Sequence, residues 1–226
     1  AVKNPIAPVV VPAAQAPCQE QVFYADDPDF DLRKLLPAPT NTPIDAGPFF
    51  CLGLVLASDP EDASLTDVTI HRLCVQERDE LSMFLAAGRH IEVFRKKAEE
   101  AGKPLPVTIN MGLDPAIYIG ACFEAPTTPF GYNELGVAGA LRQTPVELVQ
   151  GVAVNEKAIA RAEIIIEGEL LPGVRVEEDQ HTHTGHAMPE FPGYCGEANP
   201  SLPVIKVKAV TMRHQAILQT LVGPGE

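Results

Sequence analysis

Between His181 and Gly196 the chain reads HTHTGHAMPEFPGYCG, a stretch that holds three of its six histidines, one acid and one cysteine. A His-x-His pair followed by a glutamate is the donor set of a metal-binding β-barrel, in which the strand period of two aims both imidazoles inward. Here Glu190 follows His181 and His183 too late, and Gly185, Pro189 and Pro192 interrupt any strand. A polar loop with solvated histidines accounts for the same residues, and so does an active-site loop. Arg72, beside His71, sits in an alternating stretch with apolar neighbours Ile70 and Leu73. An arginine facing a barrel interior must be paired or engaged with an anion, because an unpaired buried charge is costly, and its planar fork suits a carboxylate or a phosphate. A structural ion pair and an anion-binding role are both open. Arg89 and His90 follow Gly88, where a lone histidine is ordinarily a surface group. Asn133-Glu134 opens a short helix, where a first-turn acid suits the helix dipole.

The elements that must position these residues are mostly strands. The apolar run Phe49–Ala57 has strand length, and Leu65–Gln76 alternates, with Asp67, Thr69 and His71 on one face and Ile70, Arg72 and Cys74 on the other. Residues 79–104 read as helical: Leu81, Phe84, Leu85, Ile91 and Phe94 form a stripe interrupted at Gly88 and ended by Gly102 and Pro104. A strand follows at 105–112. Asp114-Pro115 is an N-cap with proline at the first helical position, and a second short helix covers 133–143. Strands are expected at 146–154, 161–170, 203–213 and 216–223. They are not interleaved as βαβ units, so the expected architecture is α+β, a mixed sheet closing into a barrel with about three packed helices. No glycine-rich phosphate loop opens a helix after a strand.

The 226 residues are 46% hydrophobic with a formal charge of −13, enough apolar mass for a core and the wrong sign for nucleic acid or anionic membranes. No apolar run reaches the ~18 residues of a membrane helix. Five scattered cysteines without a CxxC pair read as reduced thiols of a cytoplasmic protein. The first 48 residues, proline-rich and acidic, read as an extended arm or linker. The chain has no initiator methionine and stops at LVGPGE, which suggests a segment of a longer polypeptide.

In order and spacing, TDVTIHR, AAGRH, NMGLDPAIYIGACFEAPTTPFGYNELGVAGALRQTPVELV, RAEIIIEGEL, PEFPGYCG and AVTMRHQAIL resemble the central part of the UbiD-type reversible aromatic-acid decarboxylases, over about Leu35–Ile217. Each motif alone is weak; their series is specific, and the hydroxyarylic branch, the phenolic acid decarboxylase C subunits, is the nearest in pattern. The resemblance implies that residues 49–226 form a cofactor-binding, flavin-reductase-like split β-barrel of an enzyme roughly twice this length. It implies prenylated FMN with Mn²⁺ and K⁺ nearby, the cofactor being supplied by a flavin prenyltransferase. Losing CO₂ from an arene leaves electrons on carbon that no side chain accepts, so a cofactor has to.

By the same resemblance the metal ligands fall on Asp67, His90 and Glu134, the first departing from a family asparagine. Cofactor contacts fall on Ile70, His71, Arg72, Phe84, Leu85, Ala86, Arg89 and His90. A family lysine for the cofactor phosphate lies beyond Glu226. Arg72 would orient the substrate carboxylate and Glu190 would return a proton to carbon, under apolar cover from Met188, Phe191 and Tyr194. A second family glutamate falls on Gly185 and is missing, with His186 as a substitute, while Glu163 and Glu167 read as structural pairs. The implied substrates are hydroxybenzoates (protocatechuate, vanillate or 4-hydroxybenzoate), and the whole enzyme is expected to be a homo-oligomer. Two other readings stay open: a non-catalytic flavin- or anion-binding split barrel, and a cupin-type metal oxygenase using His181 and His183.

Overall fold

The computed structural model describes residues 1–85, 88–123, 127–190 and 192–221. Its elements are β1 (Val9–Val10), β2 (Gln21–Tyr24), α1 (Leu32–Leu35), β3 (Phe49–Ser58), β4 (Thr66–Glu77), β5 (Glu80–Met83), α2 (His90–Glu100), β6 (Leu105–Met111), α3 (Pro115–Ala121), α4 (Leu135–Arg142), β7 (Glu147–Gln150), β8 (Lys157–Ile159), β9 (Ile164–Val176), β10 (His186–Pro189), β11 (Cys195–Glu197) and β12 (Leu202–Met212).

Six strands close a barrel in the order β12-β5-β4-β3-β6-β9, with β9 pairing back onto β12. Every pairing around it is antiparallel. The barrel expected from sequence is present, but its sheet is not mixed: among the described residues the parallel pairing is β1 with β7, outside the barrel. On one edge of β12, β5 covers Val204–Lys206 and β2 covers Ala209–Met212, so that edge is divided between two partners.

The continuous apolar runs follow from burial on both faces of the sheet. Along β3, Val55 and Ala57 pack into a cluster with α2 (Ile91, Phe94), while Leu54 and Leu56 pack into a second one with α3 and α4 (Ile117, Leu135, Ala138). β9 does the same with Ile164 and Ile166 on one side and Ile165 on the other. Asp114 caps α3 as expected, accepting from Ala116 N at 2.9 Å with Pro115 in the first turn.

Two expectations fail. Residues 79–104 are not one helix: Glu80–Met83 is a strand paired with β4 and β12, and the helix begins only at His90. Leu81, Phe84 and Leu85 have helical spacing by coincidence, and Gly88, at φ +90°, is a reversal that a helix could not contain. The apolar stretch after 215 forms no strand over residues 216–221; Ile217 N instead donates to Glu163 Oε2 at 3.1 Å. Glu163 also pairs with Arg213 at 3.4 Å. Glu167 is fully buried and pairs with no cation among the described residues; its carboxylate accepts from the backbone N–H groups of Val152, Ala153 and Val154 at 2.7–3.1 Å.

The N-terminal residues lie along α4. Ile6 N donates to Gly136 O at 3.0 Å and the Tyr132 hydroxyl donates to Val2 O at 2.9 Å. A Cβ on Gly139 would fall 2.4 Å from Ile6 O. Gly→Ala inside a helix ordinarily gains about 1 kcal/mol. Here the clash is with backbone, so Gly139→Ala should instead lose about 1–3 kcal/mol, read as a lower melting temperature; a higher one would mean that the segment is not seated as described. No helix among the described residues is long and apolar enough to cross a membrane.

Candidate active site

β4 carries the chemistry. Its pairing with β3 shifts register between Phe50 and Gly53, opposite Leu73 and His71. There β3 carries one residue more than β4, a bulge opposite Arg72. Ile70, His71 and Arg72 all border one cleft of about 310 Å³, with Cys51, Phe84, Arg89, Met188, Pro189, Glu190 and Leu221.

Three residues converge beside it. Ligand atoms of Asp67, His90 and Glu134 lie within 4.8 Å of one another, and His90 Nδ1 is 3.7 Å from Asp67 Oδ1. Asp67 comes from β4, His90 from the first turn of α2, and Glu134 from the start of α4. Asp67 Oδ2 accepts from Ile91 N at 2.9 Å, which ties the strand to the helix and leaves Oδ1 for the cluster. Glu134 ignores the helix end that its position suggested; its side chain caps nothing there, and Oε2 is buried without a hydrogen-bond partner. The cluster borders a cavity of about 70 Å³ together with Thr69, Gly88, Arg89 and Phe123. Two carboxylates and an imidazole are suitable donors for a hard or borderline divalent cation, and an orphaned buried carboxylate oxygen is the mark of a missing positive partner.

Burial, reinforced by the charge of Asp67, pushes the Glu134 carboxyl up to about 8, and burial raises Asp67 as well. With no cation bound, folded Glu134 therefore keeps a proton that the unfolded chain sheds near pH 4.5. The unfolded state is favoured progressively as pH rises through that window, at about 1.4 kcal/mol per unit of difference. Cation-free protein should melt at lower temperature at pH 8.5 than at pH 5.5, and Glu134→Gln should flatten that slope. An unchanged slope in the variant would assign the loss to other groups.

Arg72 is gripped from both sides. Nε and Nη2 donate to the two carboxylate oxygens of Glu178 at 2.9 and 3.0 Å, and Nη1 donates to Glu190 Oε1 at 3.0 Å. Its guanidinium lies 4.3 Å from the centroid of the Phe84 ring. Glu178, 1% exposed, is fixed in turn: Oε2 accepts from Asn199 N at 3.0 Å and its carbonyl from Gln76 Nε2 at 2.9 Å. Sequence reasoning missed Glu178; the only hint was the acid pair Glu177-Glu178 at the end of β9. His71 is neutral, its basicity lowered to about 4 chiefly by burial. Its Nδ1–H donates to Phe84 O at 2.9 Å, so Nε2 accepts from the Thr69 hydroxyl at 2.5 Å.

Of the other residues singled out from sequence, Leu85 packs against the main core rather than lining the cleft. Ala86 and Phe191 lie outside the described residues. Met188 is buried on the cleft wall, but Tyr194, 61% exposed, gives Glu190 no cover, and the Glu190 side chain is itself 35% exposed. His186 leaves Nδ1 buried without a partner and makes no contact with Arg72 among those described. His181 sits in a turn with Nε2 on Gln76 O at 2.7 Å, and His183 is a positive-φ residue of the same exposed loop, so the pair does not converge as a barrel metal site needs.

Residues 9–225 match the family described as UbiD, 3-octaprenyl-4-hydroxybenzoate carboxy-lyase Rift-related domain. The chain is 58% identical, over its whole length, to 46% of the gallate decarboxylase of Lactiplantibacillus plantarum. It superposes with a TM-score of 0.94 on the apo structure of 3,4-dihydroxybenzoic acid decarboxylases from Enterobacter cloacae, at 96% identity, covering 99% of this chain and 46% of that one. It matches the UbiD-class enzyme HmfF of Pelotomaculum thermopropionicum, solved in complex with prFMN, with a TM-score of 0.87 at 36% identity, covering 98% of this chain and 48% of that one. The chain thus spans about half the length of the relatives it matches. With the family match running over residues 9–225, the chain belongs to the UbiD family of carboxy-lyases.

Proposed function

We propose that this chain is the cofactor-binding and active-site domain of a reversible, non-oxidative decarboxylase of hydroxybenzoate-type acids, with 3,4-dihydroxybenzoate (protocatechuate) as the first substrate to test. The observation that carries it is Arg72 held between Glu178 and Glu190 on the wall of a cleft that adjoins the Asp67–His90–Glu134 cluster. The similarity to 3,4-dihydroxybenzoic acid and gallate decarboxylases supports the substrate class.

Ile70, Phe84 and Met188 give the cleft apolar walls for flat rings, and its volume lies at the low end of ligand sites, roughly 300–1,000 Å³. Prenylated FMN, when bound, supplies the electron sink for the pair left on carbon when CO₂ departs. Asp67, His90 and Glu134 would hold Mn²⁺, which would supply positive charge to the cofactor, and the reading includes K⁺. Three of the five N–H groups of Arg72 are used by Glu178 and Glu190, which leaves two for the substrate carboxylate. Glu178 keeps the guanidinium oriented while that carboxylate arrives and leaves. Glu190 accepts from Arg72 through one oxygen, and its other oxygen carries the proton that replaces CO₂ on the ring carbon. In this reading Glu178 supplies the second glutamate, which the resemblance aligned with Gly185 and found missing. The remaining elements of the reading are a flavin prenyltransferase as cofactor supplier, a homo-oligomeric enzyme and a cytoplasmic location.

The test is CO₂ release by the full-length protein reconstituted with prenylated FMN, assayed on 3,4-dihydroxybenzoate, vanillate and 4-hydroxybenzoate. Release from at least one is expected; a fully loaded enzyme inert toward all three would sink the proposal.

A further inference from the structure

Arg72 and Glu190 meet across the cleft, but they stand on elements that no sheet joins. Arg72 belongs to the barrel strand β4, whereas β10, which ends at Pro189 beside Glu190, pairs only with β11 among the described residues. A two-stranded hairpin is at best marginally stable by itself, so something else has to seat it. Residues 39–49 do so. Phe49 N donates to Pro39 O at 2.9 Å and closes their neck, the form of an Ω-loop. Two clamps flank Gly47: Val75 N of β4 donates to Pro48 O at 2.9 Å, and Ala46 N donates to Ala187 O of β10 at 2.8 Å. The Thr184 and Thr182 hydroxyls add bonds to Ile44 O at 2.8 Å and to Ala46 O at 3.2 Å. Met188 joins Ala46, Phe49, Cys51 and Cys74 in one small apolar cluster. The loop is thus the bridge between the Arg72 strand and the Glu190 hairpin.

Asp45 holds the bridge in shape. Its carboxylate, 3% exposed, accepts from Asn41 N at 2.8 Å, from Thr42 N at 3.2 Å and from the Thr42 hydroxyl. A buried carboxylate is tolerated only when it is hydrogen-bonded, and these three donors all come from the loop itself, directly before the Ala46 clamp. We infer that Asp45 is a positioning residue for Glu190: by fixing residues 39–49 it sets how far the β10 hairpin stands from β4, and so where the Glu190 carboxyl reaches. This deepens the reading above and rests on the role given there to Glu190. Substrate binding is spared, because Glu178 takes two of the three bonds from Arg72 and is itself fixed by Asn199 and Gln76, outside the loop.

The test measures CO₂ release and amide hydrogen exchange in the full-length protein loaded with prenylated FMN. Asp45→Ala should lower kcat by at least ~10-fold, part of the ~100-fold that a misplacement of about 1 Å costs. KM for 3,4-dihydroxybenzoate should stay within about twofold of the parent. Asp45→Asn keeps an oxygen for the Asn41 and Thr42 N–H groups and an amide that donates to the Thr42 hydroxyl, so it should restore most of kcat. Thr184→Val removes a clamp without touching Asp45 and should lower kcat in the same way; it decides the matter if Asp45→Ala does not fold. In both Asp45→Ala and Thr184→Val the amides of β10 and β11 should exchange faster than in the parent, with those of β4 unchanged. Parent-like kcat in Asp45→Ala, or in Thr184→Val where Asp45→Ala does not fold, overturns the inference, and so does a loss carried by KM alone. Unchanged exchange of β10 and β11 overturns it as well, and that readout needs no turnover. A parent that releases no CO₂ sinks the decarboxylase reading by itself.

Discussion

Glu190→Gln should lower decarboxylation by at least ~100-fold, the usual loss when a general acid is removed, with fold and cofactor spectrum unchanged. Glutamine keeps an oxygen that accepts from Arg72 Nη1, now 3.0 Å from Glu190 Oε1, so the cleft wall should stay in place. What it cannot do is hold and release a proton at the second oxygen. The decisive measurement is a single turnover in the holoenzyme. Loss of CO₂ should still be detectable as a burst, whereas hydrogen (or deuterium from the solvent) should arrive slowly on the ring carbon. A glutamine variant that turns over at near the parent rate would show that Glu190 is a bystander and that the proton comes from elsewhere.

The second large effect is on stability. Glu178→Ala should cost about 3–5 kcal/mol, the usual penalty for leaving one member of a buried pair behind, and so depress the melting temperature by roughly 10 °C. The side chain is fully buried, whereas Arg72 retains only 14% exposure, so water cannot take over the role of the lost carboxylate. Glu190, at 35% exposure, holds a single N–H and is a poor replacement. Glu178→Gln should recover much of that stability but not the activity, since the amide has one acceptor oxygen where the carboxylate offers two, and its NH₂ would face a guanidinium N–H. If Glu178→Ala melts within about 1 kcal/mol of the parent, the pair is not what anchors Arg72.

The site was legible where local pattern sets it. The alternation of Leu65–Gln76 announced β4. Local pattern read His90 as a surface group and Glu134 as a helix-dipole acid; the family resemblance alone grouped them with Asp67, and the structure brings ligand atoms of the three within 4.8 Å. Glu178 was not legible, because nothing in the local pattern around Glu177-Glu178 points to Arg72, more than a hundred residues away in sequence. Geometry supplied it instead, through a guanidinium that needed a partner. β5 was hidden for a different reason. Four residues are too few to display a period, and the apolar residues flanking Gly88 mimicked a helix whose true start depends on that glycine's positive φ. The absence of a strand over residues 216–221 shows the converse error, in which apolar composition was taken for pairing although both edges of β12 were already occupied.

That double occupancy of β12 has a kinetic consequence. β2, β5 and β9 all bond to the strand that comes last, so the barrel has no closed form until Leu202–Met212 has emerged. Until then the edges of β5 and β9 are open to any extended chain, and the partners joined by β12 are separated by long loops whose closure entropy comes before any reward. Closure of the barrel therefore waits on β12, and the vulnerable species before that point carries two bare edges. Refolding should show it as a slow phase in which β4 and the Arg72 cleft become protected from hydrogen exchange together with β12, and aggregation should rise steeply with protein concentration during that phase alone.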